Sequence, residues 1–405
     1  MAKCRICGGA VDEFFDFGRQ PVSDSFVTPE TAGSEFYFRL AAGVCTNCTM
    51  VQLLEEVPRE QMFHEDYPYR SSGSSVMHRH FEAFAHRLLE TDLAGDDPFI
   101  VEIGSNDGTM LKTVQKAGVR HLGVDPSAQV GDFARADGVR VRTAFFEDAT
   151  AREIAASDGP ADVIFSANTT SHIPYMDSIF RGVDALLASD GVLVLEDRYL
   201  GSIMEQNAFD QIYDEHFYLF SVSSVRAMAQ TFGFELVDVE PLTVHGGSMR
   251  YTIARPGKRS PSTTMTELLA RERAQGLASP QTYQRFAAGV RRSCGELMDL
   301  LKDLRAQGRT VVGYGATAKS ATVINYCGIG PELVPFICDS TEAKQGRLTP
   351  GSHIPVRPPA AFSEPYPDYA LLFAWNHVEE IMAKEQGFRD AGGKWILYVP
   401  EVHVV

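Results

Sequence analysis

The pattern of apolar and polar positions divides the middle of the chain into alternating helices and strands. A helical stretch covers residues 80–89. Four apolar runs of strand length follow it, at residues 99–103, 121–124, 162–166 and 191–196. Strands that alternate with helices in this way are typical of a doubly wound parallel sheet.

This unit closes with two further strands and is followed by a change of composition. Residues 233–240 and 248–254 are predicted to form an antiparallel strand pair that ends near Ala254. Residues 255–261 are rich in proline, glycine and basic side chains, which is typical of a linker. A long polar helical region then covers residues 265–309, with a break at Pro280.

A second α/β unit begins where this helical region ends. Residues 309–320 again have the pattern of a strand, a glycine turn and a helix start, and residues 334–339 supply the next strand with an acidic end. With a length of 405 residues and about 150 residues per domain, the chain is expected to contain two or three units.

Composition and charge narrow the class of protein. A hydrophobic content of 44% indicates a globular chain, and a formal net charge of −16 argues against non-specific nucleic-acid binding. No apolar run approaches the ~20 residues of a membrane span. Residues 1–4 lead directly into a cysteine motif without space for a signal peptide, so we expect a cytoplasmic protein with no membrane partner. The sequence leaves open whether it is a monomer or a homodimer.

Four of the seven cysteines form two C-x-x-C pairs, Cys4 with Cys7 and Cys45 with Cys48. Four thiolates in tetrahedral arrangement suit a closed structural Zn²⁺ site, since no ligand position is left for a catalytic water. A redox pair is the alternative. We therefore predict a zinc-binding module over residues 1–75, a second domain over 76–254, and a helical linker with a third domain over 255–405.

The first glycine turn predicts a nucleotide site. Residues 102–108 read E-I-G-S-N-D-G after a buried strand, and the next strand ends at Asp125. Carboxylates here would repel a diphosphate but can accept hydrogen bonds from ribose hydroxyls and an ammonium, which favours S-adenosylmethionine (SAM). An ordinary strand-to-helix connection is the alternative. The predicted cofactor-binding residues are Glu102, Gly104, Asn106, Asp107, Gly108, Asp125, Pro126 and Asn168.

The second glycine turn has a different charge. Gly313, Gly315 and Ala318 fit the pattern G-x-G-x-x-A, which taken alone suggests NAD and an oxidoreductase. Lys319 follows, and Arg347 is near in sequence, so this turn suits a diphosphate better than the first one does. Two nucleotide sites favour SAM in one and a nucleotide-linked substrate in the other.

Three segments carry candidate catalytic side chains. His216 lies in a stretch rich in phenols and carboxylates after a strand end, where it can act as a base beside Tyr213 and Glu215, although a packing histidine is the alternative. His172 follows the strand over residues 162–166, and it either contacts a substrate carbonyl or caps a helix. Tyr67 lies in an aromatic segment that leads into a Ser/Gly loop, which can equally be a hinge.

Taken together, these motifs resemble those of the C-methyltransferases that add a branch methyl to nucleotide-linked deoxysugars, as in mycarose, tetronitrose and kijanose biosynthesis. The resemblance covers the whole chain, including the four cysteines, the segment E-I-G-x-N-D-G, the stretch D-E-H-F and the segment G-Y-G-A-T-A-K-S. The enzymes of 3-amino-4-keto sugars look most similar. The E-x-G-x-N-D-G turn also resembles motif I of class I methyltransferases, with Asp125 in the ribose-binding position.

The resemblance implies a fold, a reaction and roles for residues. The fold is a zinc module followed by two Rossmann-like α/β/α domains, and the reaction is SAM-dependent methylation at C-3′ of a dTDP-linked 4-keto deoxysugar. His216 is then the base, Tyr213 and Glu215 assist it, and Tyr67 and His172 line the reaction centre. The residues implied to bind the dTDP moiety and the sugar are Gly313, Tyr314, Gly315, Lys319, Ser320, Asp339 and Arg347.

Two other functions remain open on the sequence alone. One is an NAD-dependent nucleotide-sugar oxidoreductase or epimerase that uses the second glycine turn. The other is a non-catalytic zinc-bearing binding module, for which replacement of His216 would change nothing measurable.

Overall fold

The computed structural model describes residues 2–62, 70–363 and 365–405. Within these ranges the strands form three sheets of five, seven and six strands. The sequence-based expectation of a small N-terminal module and two Rossmann-like α/β units is confirmed.

The first sheet is antiparallel and contains the cysteine pairs at one end. Its strand order is Ala2–Lys3, Ala10–Pro21, Tyr37–Cys45, Val51–Leu53 and Tyr218–Leu219. The last strand comes from the middle of the chain and pairs antiparallel with Val51–Leu53. The first sheet is therefore completed by residues that are distant in sequence.

The central sheet has seven strands. Its order is Glu235–Leu242, Ser248–Ala254, Leu187–Arg198, Ala161–Ala167, Phe99–Ile103, Arg120–Asp125 and Val141–Thr143. The last five strands are parallel, and the first two extend the sheet in antiparallel pairing. Every residue of Phe99–Ile103 is buried, because helices cover both faces of the sheet. The α-helices of this unit are Ser75–Glu90, Thr109–Lys116, Ala128–Ala136, Asp148–Asp158, Met176–Leu186, Leu200–Glu205 and Val222–Thr231.

The third sheet has six short strands. Its order is Val356–Arg357, Ile337–Cys338, Val311–Tyr314, Tyr369–Leu372, Lys394–Leu397 and His403–Val404, parallel except for the last pair. Two helices, Thr263–Gln275 and Pro280–Ala306, connect it to the central sheet. They are separated as the sequence predicts, because Gly276 ends the first helix in a left-handed conformation and Pro280 begins the second.

The remaining helices are short. The α-helices are Arg59–Met62, Ser320–Cys327, Ala360–Ser363, Val378–Lys384 and Gln386–Asp390, and the 3-10 helices are Ser71–Gly73, Thr170–His172, Phe209–Gln211, Val244–Gly246, Glu342–Lys344 and Trp375–His377. None of the helices in the described ranges is both long enough and apolar enough to cross a bilayer.

Aromatic side chains join the three sheets into one core. Phe17 of the first sheet lies 5.2 Å, between ring centroids, from Tyr326 of the C-terminal unit and 6.5 Å from Phe209 of the central unit. Phe14 contacts Tyr283 of the connecting helix at 4.8 Å. These contacts fix the positions of the loops that face one another across the centre of the molecule.

Candidate active site

A cavity of about 880 Å³ lies where the three sheets meet. Each sheet contributes wall residues: Asp24, Val57 and Arg59 from the first; Gly104, Asn106, Asp125, Pro126, Asn168, His172, Arg198, Tyr213, Glu215 and His245 from the central unit; and Ala316, Thr317, Lys319, Asp339, Lys344, Asn376 and His377 from the C-terminal unit. The two glycine turns predicted from the sequence therefore open into the same cavity.

The first turn is held in shape by contacts that require glycine. Gly104 has a φ of +70°, its N–H donates to the Val124 carbonyl at 2.8 Å, and a Cβ at this position would lie 2.1 Å from Oγ1 of Thr169. The Asn106 N–H donates to Oδ2 of Asp125 at 2.9 Å. This arrangement brings the loop and the carboxylate of the next strand together at the cavity wall.

Of the acidic residues of this turn, one lines the cavity and the others lie behind the wall. Asp125 lines the cavity, whereas Glu102, Asp107 and Gly108 are not among its wall residues. Burial raises the pKa of Glu102 well above its usual value, and the nearby Asp107 and Asp125 carboxylates raise it further. Oδ2 of Asp107 accepts a hydrogen bond from the Ser72 N–H at 3.1 Å. Carboxyl oxygens on this wall can accept hydrogen bonds from hydroxyl and ammonium groups, such as those of SAM.

His216 is held as a neutral imidazole with a defined tautomer. Its Nδ1 lies 2.6 Å from the carbonyl oxygen of Gln211, and because a carbonyl can only accept, Nδ1 carries the hydrogen. Nε2 is then the basic nitrogen, and it has no hydrogen-bond partner among the described residues. Burial lowers the pKa of His216 well below its usual value, and the charge of Arg198 and the neighbouring His172 add to the effect.

Tyr213 and His172 lie against the His216 ring and form the cavity wall in front of it. Their ring centroids are 4.0 Å and 5.3 Å from that of His216. His216 is 1% exposed and is not itself a wall residue. Burial and then Arg198 lower the pKa of His172 to about 3, and burial raises the pKa of Tyr213 well above 10. At neutral pH the cluster is uncharged, so the phenol is a hydrogen-bond donor.

Glu215 lines the cavity beside two other carboxylates. It is 4% exposed, and its pKa is raised well above the usual value by burial first and by Asp24 and Asp214 next. Burial raises the pKa of Asp214 to about 7, although the Ser23 N–H donates to its Oδ1 at 3.0 Å. The His216 ring is oriented by a backbone carbonyl and not by Glu215.

The second glycine turn places a lysine at the opposite side of the cavity. Nζ of Lys319 donates to Oδ1 of Asn376 at 2.6 Å, lies 3.7 Å from Oδ2 of Asp210, and sits 4.2 Å from the ring centroid of Trp375. Burial lowers the pKa of Lys319 to about 8, while Asp210 opposes the shift. Lys344, on the neighbouring loop, pairs with Asp24 at 3.0 Å.

The other residues implied to bind substrate differ in position. Asp339 lines the cavity and anchors the turn, since its Oδ2 accepts a hydrogen bond from the Ala316 N–H at 2.7 Å. Tyr314 points away, and its hydroxyl donates to Glu385 at 2.6 Å. Nη1 of Arg347 donates to the carbonyl of Phe26 at 3.2 Å. The predicted substrate residues that are not among the cavity's wall residues are Gly313, Tyr314, Gly315, Ser320 and Arg347.

Sequence reasoning missed several wall residues and includes one that cannot be placed. Arg198, Asp24 and Arg59 line the cavity, and none was predicted to do so. Arg198 lies two residues beyond the apolar run over residues 191–196, and that position at a strand's carboxyl end was the available signal. Tyr67 lies outside the described residues.

The four paired cysteines fit a structural zinc ion. Their sulfur atoms lie within 4.8 Å of one another, with Cys4 and Cys48, and likewise Cys7 and Cys45, 3.5 Å apart. Zn–S bonds of about 2.3 Å in tetrahedral geometry place sulfur atoms about 3.8 Å apart. Since all four ligands are thiolates, a bound ion has no open position and stabilises the fold of the first sheet.

Comparisons with solved structures give short partial matches. A SAM-dependent methyltransferase from Anabaena variabilis is 16% identical, with a TM-score of 0.35, over 43% of this chain and 84% of its own. Magnesium protoporphyrin IX methyltransferase from Synechocystis, solved with bound SAH, is 14% identical, with a TM-score of 0.34, over 45% of this chain and 87% of its own.

Family models match three consecutive parts of the chain. Residues 4–63 match a family described as "Putative zinc binding domain", residues 76–239 a "Methyltransferase domain", and residues 243–400 a "C-methyltransferase C-terminal domain". The C-methyltransferase NovU of Streptomyces niveus is 34% identical over 409 residues, which is 100% of this chain and 96% of NovU. The chain therefore belongs to the C-methyltransferase family and is a SAM-dependent enzyme with a zinc-binding domain.

Proposed function

We propose that this enzyme methylates C-3′ of a dTDP-linked 4-keto deoxysugar and forms an enolate on the way. One observation carries the proposal: a single cavity is lined by the acidic first turn, by the Lys319 turn, and by the cluster around Tyr213. A sulfonium donor in the first turn and a diphosphate beside Lys319 would place the sugar between them. By the sequence resemblance, we propose a 3-amino-2,3,6-trideoxy-4-keto-hexose as the sugar.

The C4′ ketone makes the C3′ hydrogen acidic, because loss of that proton gives an enolate. In the proposed reaction Nε2 of His216 accepts the proton, and the Tyr213 phenol and His172 are placed to donate to the developing oxyanion. The C3′ carbon then takes the methyl group from SAM. His216 lies behind the Tyr213 and His172 rings and is not itself a wall residue, so the role requires one of these rings to turn when substrate enters.

The placement of the two ligands is the enzyme's main contribution to the rate. Holding a carbon nucleophile and a methyl group about 3 to 3.5 Å apart can replace ~7 to 11 kcal/mol of the barrier. In the proposed complex, Asp125 and Asn106 of the cavity wall hold SAM, and Lys319, on the turn anchored by Asp339, holds the diphosphate of the nucleotide. Zinc stays outside the reaction and supports the first sheet.

A product assay tests the proposal directly. The enzyme is incubated with SAM and a panel of dTDP-4-keto deoxysugars that carry either an amine or a hydroxyl at C-3′. We expect one sugar to gain the mass of a methyl group and nuclear magnetic resonance to place that group on C-3′. Methylation at another carbon or on oxygen would contradict the proposal. Turnover with NAD in place of SAM would favour the oxidoreductase alternative.

A further inference from the structure

The strand Leu187–Arg198 ends in a guanidinium group on the cavity wall. The side chain of Arg198 is 15% exposed, and its Nη1 donates to Oδ1 of Asn168 at 3.2 Å. Asn168 follows the adjacent parallel strand, Ala161–Ala167. Arg198 is therefore located where the carboxyl ends of two central strands meet, which is where active sites form in such sheets.

The Asp197 carboxylate, next to Arg198 in the chain, does not accept a hydrogen bond from the Arg198 guanidinium. Oδ1 of Asp197 lies 3.9 Å from Nη1 of Arg198, beyond hydrogen-bond distance. That carboxylate accepts hydrogen bonds from the Ser171 hydroxyl at 2.6 Å and from the Ser171 N–H at 3.1 Å. Asp197 is thus already satisfied by Ser171.

The Arg198 guanidinium keeps donors that the protein does not use. Its Nε is buried and has no hydrogen-bond partner in the part of the chain that the structure describes. A guanidinium has five N–H donors, and a buried donor without an acceptor costs about 1 to 3 kcal/mol. A buried donor left without an acceptor calls for an explanation, and a role toward a bound ligand is one that suits a residue on the cavity wall.

Although the Asp197 carboxyl, whose pKa burial raises to about 6, is ionised at neutral pH, the histidines around Arg198 are neutral. Its charge is among the causes that hold down the pKa of His172, His216 and His245, after burial in each case. Another cation on the cavity wall, Lys319, already donates a hydrogen bond to Asn376 and lies near the Asp210 carboxylate. Arg198 is therefore a cation beside neutral histidines and a carboxylate that is hydrogen-bonded to Ser171, and its charge stabilises an anion that forms next to it on the cavity wall.

We propose that Arg198 is a further catalytic residue, which donates hydrogen bonds to the oxygen that becomes negatively charged when the substrate loses its proton. The inference rests on the proposed function. When His216 accepts the C3′ proton, the C–H electron pair forms the C3′–C4′ double bond and the carbonyl electrons move to the C4′ oxygen. In the next step these electrons return, the bond from C3′ to the methyl carbon forms, and the S–CH₃ bond breaks to release S-adenosylhomocysteine (SAH).

Exchange of the substrate hydrogen for deuterium isolates the first of these steps. The protein is mixed in D₂O with the dTDP-linked 3-amino-2,3,6-trideoxy-4-keto-hexose and with SAH in place of SAM, and loss of the C3′–H signal is followed. We expect Arg198→Met to slow exchange by about 10²- to 10³-fold, the usual effect of removing an oxyanion donor. Arg198→Lys keeps the charge but not the paired donors, so its exchange rate is expected to lie between those of the wild type and Arg198→Met.

The binding of SAM separates this role from an alternative one. If Arg198 instead binds the SAM carboxylate, Arg198→Met weakens SAM binding in calorimetry and leaves exchange within about threefold of the wild-type rate. That result would overturn the inference. Arg226→Met, on the exposed side of a helix, is the matched control and should change neither quantity.

Failure of the proposed function gives a different result. Wild-type protein that neither exchanges nor methylates any sugar of the panel would refute the proposed substrate, whatever Arg198 does. Thermal unfolding of each variant checks its fold. If Arg198→Met does not fold, Arg198→Lys decides, and exchange at the wild-type rate in that variant would contradict a paired-donor role.

Discussion

The carbonyl oxygen of Gln211 lies 2.6 Å from Nδ1 of His216 and determines which nitrogen of the buried ring is basic. Asparagine at this position can keep a donor toward Gln211 but has no basic nitrogen. We expect His216→Asn to lower kcat by about 10²- to 10⁴-fold, the usual contribution of a general base. Activity of the variant on the dTDP-sugar panel is the measurement.

Two controls accompany this variant. SAM affinity and the midpoint of thermal unfolding should stay near the wild-type values, because His216 is not among the wall residues of the cavity into which the first turn opens. A variant with wild-type turnover would remove His216 from the mechanism and leave His172 as the next candidate.

The pH dependence of the reaction follows from the burial of His216. Proton removal needs the neutral ring, and the pKa of His216 lies well below its usual value of about 6.5 because the ring is buried near Arg198. On the acid side, activity is therefore lost when the pH falls through this lowered pKa. On the acid side, the plateau of kcat/KM should extend below pH ~6.5, whereas half-loss at or above that pH as the solution is acidified would contradict the assignment.

Lys319 is expected to bind the diphosphate of the substrate. A hydrogen bond to a charged group contributes about 1.5 to 3 kcal/mol, so Lys319→Met should raise KM for the sugar nucleotide by about 10- to 150-fold. Its pKa of about 8, lowered by burial, means that the charge is lost as the pH rises through that value. KM of the wild type should accordingly increase above pH 8.

A matched basic residue serves as control for Lys319. Arg347 was implied to bind substrate by the sequence resemblance, but its guanidinium donates to the Phe26 carbonyl and does not line the cavity. Arg347→Met should leave KM unchanged. An equal rise of KM in both variants would indicate a general loss of positive field and not a specific contact.

Zinc removal should disturb the catalytic segment although the ion takes no part in the reaction. The Leu53 N–H donates to the Phe217 carbonyl at 2.8 Å, and Tyr218 pairs with Gln52. Loss of the ion loosens the first sheet and hence the residue next to His216. Hydrogen–deuterium exchange of residues 213–219 should increase after chelation, together with loss of turnover.

Cobalt provides the control for this experiment. Co²⁺ in a site of four thiolates gives strong visible absorption, and the reconstituted protein should recover turnover because the metal is structural. Chelation that leaves residues 213–219 as protected as before would contradict the coupling.

Asp210 joins the central unit to the C-terminal unit. Its Oδ2 accepts hydrogen bonds from Trp375 Nε1 at 2.6 Å and from the Tyr398 hydroxyl at 2.7 Å, and it is fully buried. Asp210→Ala leaves two buried donors unsatisfied, so the free energy of unfolding should fall by about 2 to 5 kcal/mol. Denaturant titration measures this change, and Asp390→Ala at an exposed position should change it by less than about 0.5 kcal/mol.

The secondary-structure elements that were predicted well from the sequence are those determined by the local pattern of apolar and polar residues. The strand at Phe99–Ile103 matches its predicted bounds, because a short, mostly apolar run between turn residues is typical of a strand buried on both faces. The strand Tyr218–Leu219 was not predicted, since two residues carry no period and the partner strand is distant in sequence.

Site residues were likewise predicted well where a local motif marks them and less well where their position depends on the fold. Asp125 and Lys319 lie next to glycine turns, and both line the cavity. Tyr314 is adjacent to such a turn but lies on a strand, where alternate side chains face opposite sides, and its ring packs on Trp395 instead. Arg198 lies just beyond a predicted strand end, but its place beside Asn168 on the cavity wall became evident only when the neighbouring strand ends were assembled in space.

The pairing of Tyr218–Leu219 with Val51–Leu53 also has a consequence during synthesis. As the chain leaves the ribosome, its first sheet has an open edge at Val51–Leu53 until residue 219 has emerged. The N-terminal region therefore cannot finish folding before most of the donor-binding unit has been translated, and the two mature together.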